Sequence, residues 1–92
     1  MTTHCNVLLH DIRNMDDVYD QLGRQLPLPA HFGRNLDALF DFLTVDAAGP
    51  LTLNWPDAAD ARTHLGTERH AALLATLRDA ADERSDLQLR IG

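Results

Sequence analysis

Two aspartates, Asp37 and Asp41, stand four residues apart in a stretch with the apolar spacing of a helix. At about 100° per residue they lie side by side, on the face opposite Leu36, Leu39 and Leu43, so both carboxylates are expected to face solvent. In isolation, a pair of like charges at this spacing destabilises a helix by about 0.2–0.5 kcal/mol. The pair therefore calls for an explanation.

Three chemistries fit such a pair of carboxylates. They can form an ordinary solvated helix face, or they can attract a basic partner. They can also hold Mg²⁺ in a small metal-dependent hydrolase, because carboxylate oxygens are the ligands that this ion prefers. A nuclease of that kind also needs basic residues beside the carboxylates to hold substrate phosphates. Only Arg34 lies nearby, which weighs against the hydrolase.

The acidic character extends along the chain and over its whole composition. Residues 35–61 contain no Lys or Arg and five aspartates, namely Asp37, Asp41, Asp46, Asp57 and Asp60. The whole chain of 92 residues has 8 basic and 14 acidic residues, a net charge of −6. This balance disfavours nucleic acid and anionic membranes as partners and favours a basic protein.

The composition also bounds the compartment and the cofactors. The one cysteine, Cys5, can make no internal disulfide, and no set of residues has the spacing of a metal site, so we expect no metal and no cofactor. No run approaches the ~18 apolar residues that span a bilayer, and the first six residues do not resemble a signal peptide. We expect a cytoplasmic protein that is monomeric when free.

Hydrophobic periodicity predicts seven elements. Short apolar or alternating runs predict strands at residues 5–10, 51–55 and 87–91. Apolar residues spaced by three and four, with a shorter alanine-rich run, predict helices at residues 15–26, 35–44, 57–65 and 67–83. Asn14 and Thr67 are the predicted N-caps of the first and last helices, and Gly66 is predicted to end the third.

The order of these elements predicts the fold. Strands separated by helices favour parallel pairing through right-handed crossovers, and alternating strands favour a sheet that is covered on one face. We therefore predict an α/β fold of two layers, with a three-stranded parallel sheet packed by three to four helices. The chain is short enough to form a single domain over residues 1–92.

Residues 28–44 carry a recognisable signature, Leu-Pro-Ala-His-Phe-Gly-Arg-Asn-Leu-Asp-Ala-Leu-Phe-Asp-Phe-Leu-Thr. This stretch resembles the barstar family of small intracellular ribonuclease inhibitors. The family pattern is Leu-Pro, two variable or aromatic positions, an aromatic, then Gly-x-Asn-Leu-Asp-Ala-Leu-Trp-Asp and a closing Leu-Thr. The likeness extends to residues 50–55, 78–80 and 86–89, so it covers essentially the whole chain.

The resemblance implies a protein that plugs the active site of a basic ribonuclease, in a one-to-one complex, until the enzyme is exported. A ribonuclease holds RNA phosphates with basic residues, so carboxylates on a rigid helix can take the place of those phosphates. Asp41 is then expected at the catalytic centre, and Asp37 beside a second basic group. The partner-binding residues that the resemblance implies are His31, Gly33, Asn35, Leu36, Asp37, Phe40, Asp41, Thr44, Asp46 and Asp79.

Three of these positions, and the neighbouring position 34, depart from the family pattern. His31 stands where a tyrosine packs on the enzyme, and Phe40 replaces a tryptophan. Asp46 replaces an aromatic contact. Arg34 replaces an acidic residue, and its positive charge is expected to repel a very basic enzyme. A barstar-like binding module for a different toxin or regulatory partner therefore remains an alternative.

Overall fold

The computed structural model describes residues 5–47 and 49–92. In chain order, the elements are β1 (Cys5–Leu8), α1 (Met15–Gln25), α2 (Leu36–Asp41), a π-helical turn (Phe42–Asp46), β2 (Leu51–Trp55), α3 (Ala58–Leu65), α4 (Thr67–Glu83) and β3 (Leu87–Ile91). The first four residues of the predicted domain, and most of the stretch compared with a signal peptide, lie outside the described residues. The single-domain boundary stays a prediction.

The three strands form one parallel sheet in the order β1-β2-β3, so β2 is central. Val7, Leu53 and Leu89 lie in register across it, on the face that packs against the helices. Leu53 and Trp55 of β2 are fully buried there, whereas Leu8 on the opposite face is 46% exposed. The prediction of a parallel α/β fold whose sheet is covered on one face is confirmed.

Helix α1 lies against the outer edge of β1, where its side chains bond backbone groups that no neighbouring strand pairs with. The side-chain amide of Gln25 accepts a hydrogen bond from the Leu8 N–H (2.8 Å) and donates one to the Leu8 carbonyl (2.9 Å). One turn earlier, Gln21 makes the same pair of bonds with His10 (3.1 and 2.7 Å). The two glutamines satisfy the backbone groups of Leu8 and His10, which would otherwise be free to pair with another chain. β1 itself ends at Leu8, two residues earlier than predicted.

The junction between α3 and α4 differs from the prediction. A single residue, Gly66, separates the two helices and has a φ of +87°. Its N–H donates to the Arg62 carbonyl and its carbonyl accepts from the His70 N–H, so it ends one helix and begins the next. The prediction that Thr67 caps α4 is wrong, because Thr67 is already the first helical residue and no side chain caps this end.

The buried face of α2 and the π-helical turn includes Phe42, which the sequence pattern did not place there. Leu39, Phe42 and Leu43 are at most 2% exposed, and their spacing of three and four residues puts them on one side. Phe40, a predicted partner-binding residue, is only half-buried and packs at the margin of the core.

Phe42→Ala should lower the free energy of unfolding by about 3–5 kcal/mol, because removing a fully buried phenyl ring leaves a cavity. Phe40→Ala is the matched control and should destabilise clearly less, since its ring is already partly in solvent. Urea denaturation followed by circular dichroism measures both. Equal losses for the two variants would contradict this assignment of the core face.

Candidate functional site

The candidate site is built on residues 35–46, which we call the acidic segment. It begins at Asn35, whose backbone is extended (φ −144°) and whose Oδ1 accepts a hydrogen bond from the Ala38 N–H at 2.7 Å. This N-cap fixes where α2 starts. Asp37 lies in the first turn, where the helix dipole favours a negative charge.

Three carboxylates of the acidic segment are open to solvent and uncompensated. Asp37, Asp41 and Asp46 are all exposed. Across residues 5–47 and 49–92, none of these side chains takes part in an ion pair or a hydrogen bond. The outward orientation predicted for Asp37 and Asp41 is confirmed, and Asp46 extends the negative face beyond α2.

The second half of the acidic segment is a π-helical turn. The Ala47 N–H donates to the carbonyl of Phe42, five residues earlier, at 2.8 Å, and the Thr44 hydroxyl donates to the Phe40 carbonyl at 2.8 Å. Val45 is left 77% exposed beside Asp46. Single π-helical turns are uncommon and occur often at functional sites. Val45 is an apolar surface residue that sequence reasoning missed, because nothing in the pattern distinguishes it from a core valine.

The loop before α2 is anchored by Phe32. Its ring packs edge-on against Tyr19 (5.7 Å between centroids) and Phe42 (6.3 Å), which links α1 to the acidic segment. His31 beside it stays exposed. Four of the predicted site residues line a shallow cleft, namely His31, Gly33, Asp41 and Asp46. Neighbouring core residues complete its wall.

Gly33 allows a close approach rather than an unusual backbone. Its carbonyl accepts a hydrogen bond from the Asn35 side-chain amide at 3.3 Å, and a Cβ on Gly33 would lie 3.1 Å from that nitrogen. The positive φ of this loop belongs to Arg34, at +50°. The close approach of the Asn35 side chain therefore accounts for a glycine at this position.

Arg34 does not present its charge to the acidic face. Its guanidinium donates to the carboxylates of Asp16 (3.1 Å) and Asp20 (3.0 Å) on α1, and its Cζ lies 5.4 Å from the centre of the Tyr19 ring. The hydrogen bonds to Asp16 and Asp20 raise the pKa of Arg34. Burial raises the pKa of Tyr19 above 10.0, although the Arg34 charge acts in the opposite direction. The expectation that Arg34 repels a basic partner needs correction, since two aspartates already balance its charge.

The remaining predicted residues are spread around the acidic segment. Leu36, Phe40 and Thr44 are half-buried, so each offers only part of its side chain to a partner. Asn35 and Leu36 line a second cleft, beside Arg34. Asp79 is exposed on α4, the helix that packs against α2.

Arg84 is a site-supporting residue that sequence reasoning missed. Its side chain is only 13% exposed, and it forms a two-point ion pair with Asp86 at 2.9 and 3.0 Å. Its Nη1 donates to the carbonyls of Leu43 (2.8 Å) and Ala47 (2.7 Å), where the acidic segment ends. No local signal marks this arginine as part of the site, because the two carbonyls that it binds lie some forty residues away in the sequence.

The described residues offer no obvious metal centre. Within residues 5–47 and 49–92, no group of three or more His, Cys, Asp or Glu side chains is placed to hold a metal ion. Among the helices of the same residues, none is long and apolar enough to cross a bilayer.

Fold and site together define the class, a small parallel α/β protein with an exposed acidic helical face. Among the described residues, the aspartates of that face have no cationic partner, and the ring of Phe32 anchors the loop before α2. The family model described as Barstar (barnase inhibitor) matches residues 2–91, and the chain belongs to this family. The chain is also 36% identical over 76 residues to the protein named "Putative ribonuclease inhibitor YrdF" of Bacillus subtilis (strain 168). That similarity covers 83% of this chain and 82% of that protein. The resemblance read from residues 28–44 is thereby confirmed.

The pKa of Asp86 tests the ion pair with Arg84. The Arg84 hydrogen bonds hold this pKa below its ordinary 3.8. The stabilisation is therefore fully present above pH 3.8, the value in the unfolded chain, and is lost as the pH falls through the lower folded value. Arg84→Gln should return the Asp86 pKa towards 3.8, measured by NMR titration of the carboxyl carbon. Arg90→Gln is the control, and an Asp86 pKa unaffected by Arg84→Gln would contradict the pairing.

Proposed function

We propose that this protein inhibits a basic ribonuclease by inserting the acidic segment into the enzyme's phosphate-binding site, in a one-to-one complex. It acts in the cytoplasm of the producing cell, needs no cofactor and catalyses no reaction itself. Neither nucleic acid nor a membrane is a partner. The interacting residues are those that the sequence resemblance implies, with Asp41 at the enzyme's catalytic centre.

The observation that carries this proposal is that the carboxylates of Asp37, Asp41 and Asp46 have no partner among the described residues. The arginines at either end of the acidic segment, Arg34 and Arg84, are paired with other aspartates and leave these three uncompensated. Negative charge held on a rigid helix matches an enzyme site built to bind phosphate oxygens. Membership of a family described by its inhibition of barnase, and the name of the Bacillus relative, support the same reading.

The departures from the family pattern shape the contact rather than argue against it. Removing an aromatic at position 46 and placing Asp46 beside Asp41 makes the cleft more acidic. His31 supplies less contact area than a tyrosine at the edge of the same cleft. These changes favour an enzyme with an extended cationic surface, so the preferred ribonuclease differs from the target of other family members.

An inhibition assay tests the proposal directly. Cleavage of a fluorescent RNA substrate by barnase, and by basic ribonucleases secreted by the source organism, should stop at one equivalent of the protein. Inhibition of none of these enzymes would contradict the proposal. RNA cleavage by the protein itself in the presence of Mg²⁺ would replace it with the hydrolase.

Asp41→Ala should weaken binding to the inhibited ribonuclease by at least about 2 kcal/mol, because the variant leaves the enzyme's buried cations unpaired. Asp37→Ala should have a smaller effect. Folding stability should stay nearly the same or rise slightly, since each change removes a like-charged neighbour. Isothermal titration calorimetry and urea denaturation measure the two quantities.

Asp60→Ala is the matched control, an exposed aspartate on α3 that should leave affinity almost unchanged. Asp57 is less suitable, because its Oδ2 accepts a hydrogen bond from the Asp11 N–H at 2.9 Å and thus supports the fold. Equal small losses for Asp37→Ala, Asp41→Ala and Asp60→Ala would indicate a diffuse acidic surface and would rule out insertion of the helix.

The association rate should fall steeply with added salt, because the net charge of −6 attracts a basic enzyme over distances that salt screens. Stopped-flow fluorescence between roughly 25 and 500 mM NaCl, where the Debye length drops from about 20 to 4 Å, measures the effect. The dissociation rate is the internal comparison and should change much less. A salt-independent association rate would rule out charge steering.

A further inference from the structure

We propose that Arg84 is a positioning residue for partner binding, because it fastens the C-terminal end of the acidic segment to the sheet. This inference rests on the proposed function and extends it to a residue outside the docking face. Arg84 lies in the short connection between α4 and β3 and belongs to no part of the signature at residues 28–44.

The guanidinium holds three acceptor groups at once, namely one carboxylate and two backbone carbonyls. One edge holds the Asp86 carboxylate through Nε and Nη2, and the remaining nitrogen, Nη1, donates to the carbonyls of Leu43 and Ala47. Leu43 and Ala47 sit on either side of the three residues Thr44, Val45 and Asp46. The bonds to these two carbonyls therefore bracket the part of the acidic segment that continues the docking face beyond Asp41.

Asp86 is in turn held by the sheet. Its carbonyl accepts the Leu51 N–H at 2.9 Å, at the beginning of the central strand, and β3 starts at the next residue. The end of the π-helical turn is thus tied through the Arg84 side chain and Asp86 to the central strand.

Gly49 lies close against this ion pair. A Cβ built on Gly49 would collide with the Asp86 carboxylate and the Arg84 guanidinium. The absence of a side chain at Gly49 is therefore what allows the chain after the acidic segment to pass over the ion pair.

The physical reason for this anchoring is the set of carbonyl groups at the end of the acidic segment. Helices end with carbonyl groups that lack partners within the helix, and a cation placed there satisfies them and opposes the dipole. With Arg84 in place, the bracketed residues are fixed before the partner arrives. Without it, they must be ordered on binding, which lowers affinity chiefly through faster dissociation.

The test compares Arg84→Gln with Arg90→Gln, using a ribonuclease that the native protein inhibits, with barnase as the first probe. Both variants remove one positive charge from the same end of the chain, so both become equally more acidic. Long-range attraction alone makes each bind a basic enzyme slightly faster. Positioning by Arg84 predicts instead that Arg84→Gln alone dissociates about tenfold faster, a change measured by surface plasmon resonance.

A second readout uses the free protein. The Ala47 N–H, bonded to the Phe42 carbonyl, should exchange with solvent faster in Arg84→Gln than in Arg90→Gln, while amides of β2 exchange alike in both. Should Arg84→Gln fail to fold, Arg84→Lys serves in its place, because a lysine keeps the charge but cannot span the carboxylate and both carbonyls.

Equal dissociation rates for folded Arg84→Gln and Arg90→Gln would overturn the inference and leave the proposed function standing. They would show Arg84 to be an ordinary structural residue, which changes stability without changing the affinity of the folded molecule. Failure of the native protein to inhibit any of the ribonucleases would overturn the proposed function and this inference with it.

Discussion

The acidic segment cannot hold its conformation alone, so neighbouring parts of the fold must hold it in place. Like charges at helical spacing destabilise a helix, and Asp37, Asp41 and Asp46 have no cationic partner within the described residues. α2 is also only six residues long, too short to be stable by itself in water. Its conformation must come from the elements that surround it.

Three kinds of interaction supply that support. Leu39, Phe42 and Leu43 bury one side of the acidic segment in the core, where the rings of Phe32 and Tyr19 continue the packing towards α1. Asn35 caps the beginning, and Arg84 holds the end. Arg34 and Arg84, the arginines nearest the acidic segment, are paired with aspartates outside it. Their positive charge therefore does not neutralise its exposed carboxylates. Selection for binding explains such an arrangement better than selection for stability, since functional sites commonly lower stability.

The sequence predicted the layers of this fold because periodicity reports which residues meet the core. The alternation in residues 51–55 and 87–91 indicated a sheet covered on one face, and the strands do lie that way. Local chemistry was equally readable at Asn14, whose side chain accepts the hydrogen bond expected of an N-cap. The signature at residues 28–44 gave the family, which no periodicity contains.

The errors share a different physical origin. At 100° per residue, Phe40 and Phe42 lie equally far to either side of the line through Leu39 and Leu43, so periodicity alone does not decide which ring enters the core. The roles of Arg34 and Arg84 depend on contacts across 14 to 41 residues of sequence, so composition shows their charges without showing what the charges face. Thr67 has the chemistry of an N-cap, but the single-residue junction at Gly66 leaves it no position outside the helix.

We propose that the acidic segment occupies the phosphate site of a ribonuclease, and competition with a nucleic-acid phosphate is the direct test of this. The affinity of the protein for an inhibited enzyme is measured at constant ionic strength with increasing amounts of a short DNA oligonucleotide, which lacks the 2′-hydroxyl needed for cleavage. If the acidic segment fills this site, the protein and the oligonucleotide exclude each other from the enzyme. The apparent Kd of the protein then rises in proportion to the oligonucleotide concentration. A Kd that does not change, with protein and oligonucleotide bound to the enzyme together, would contradict it.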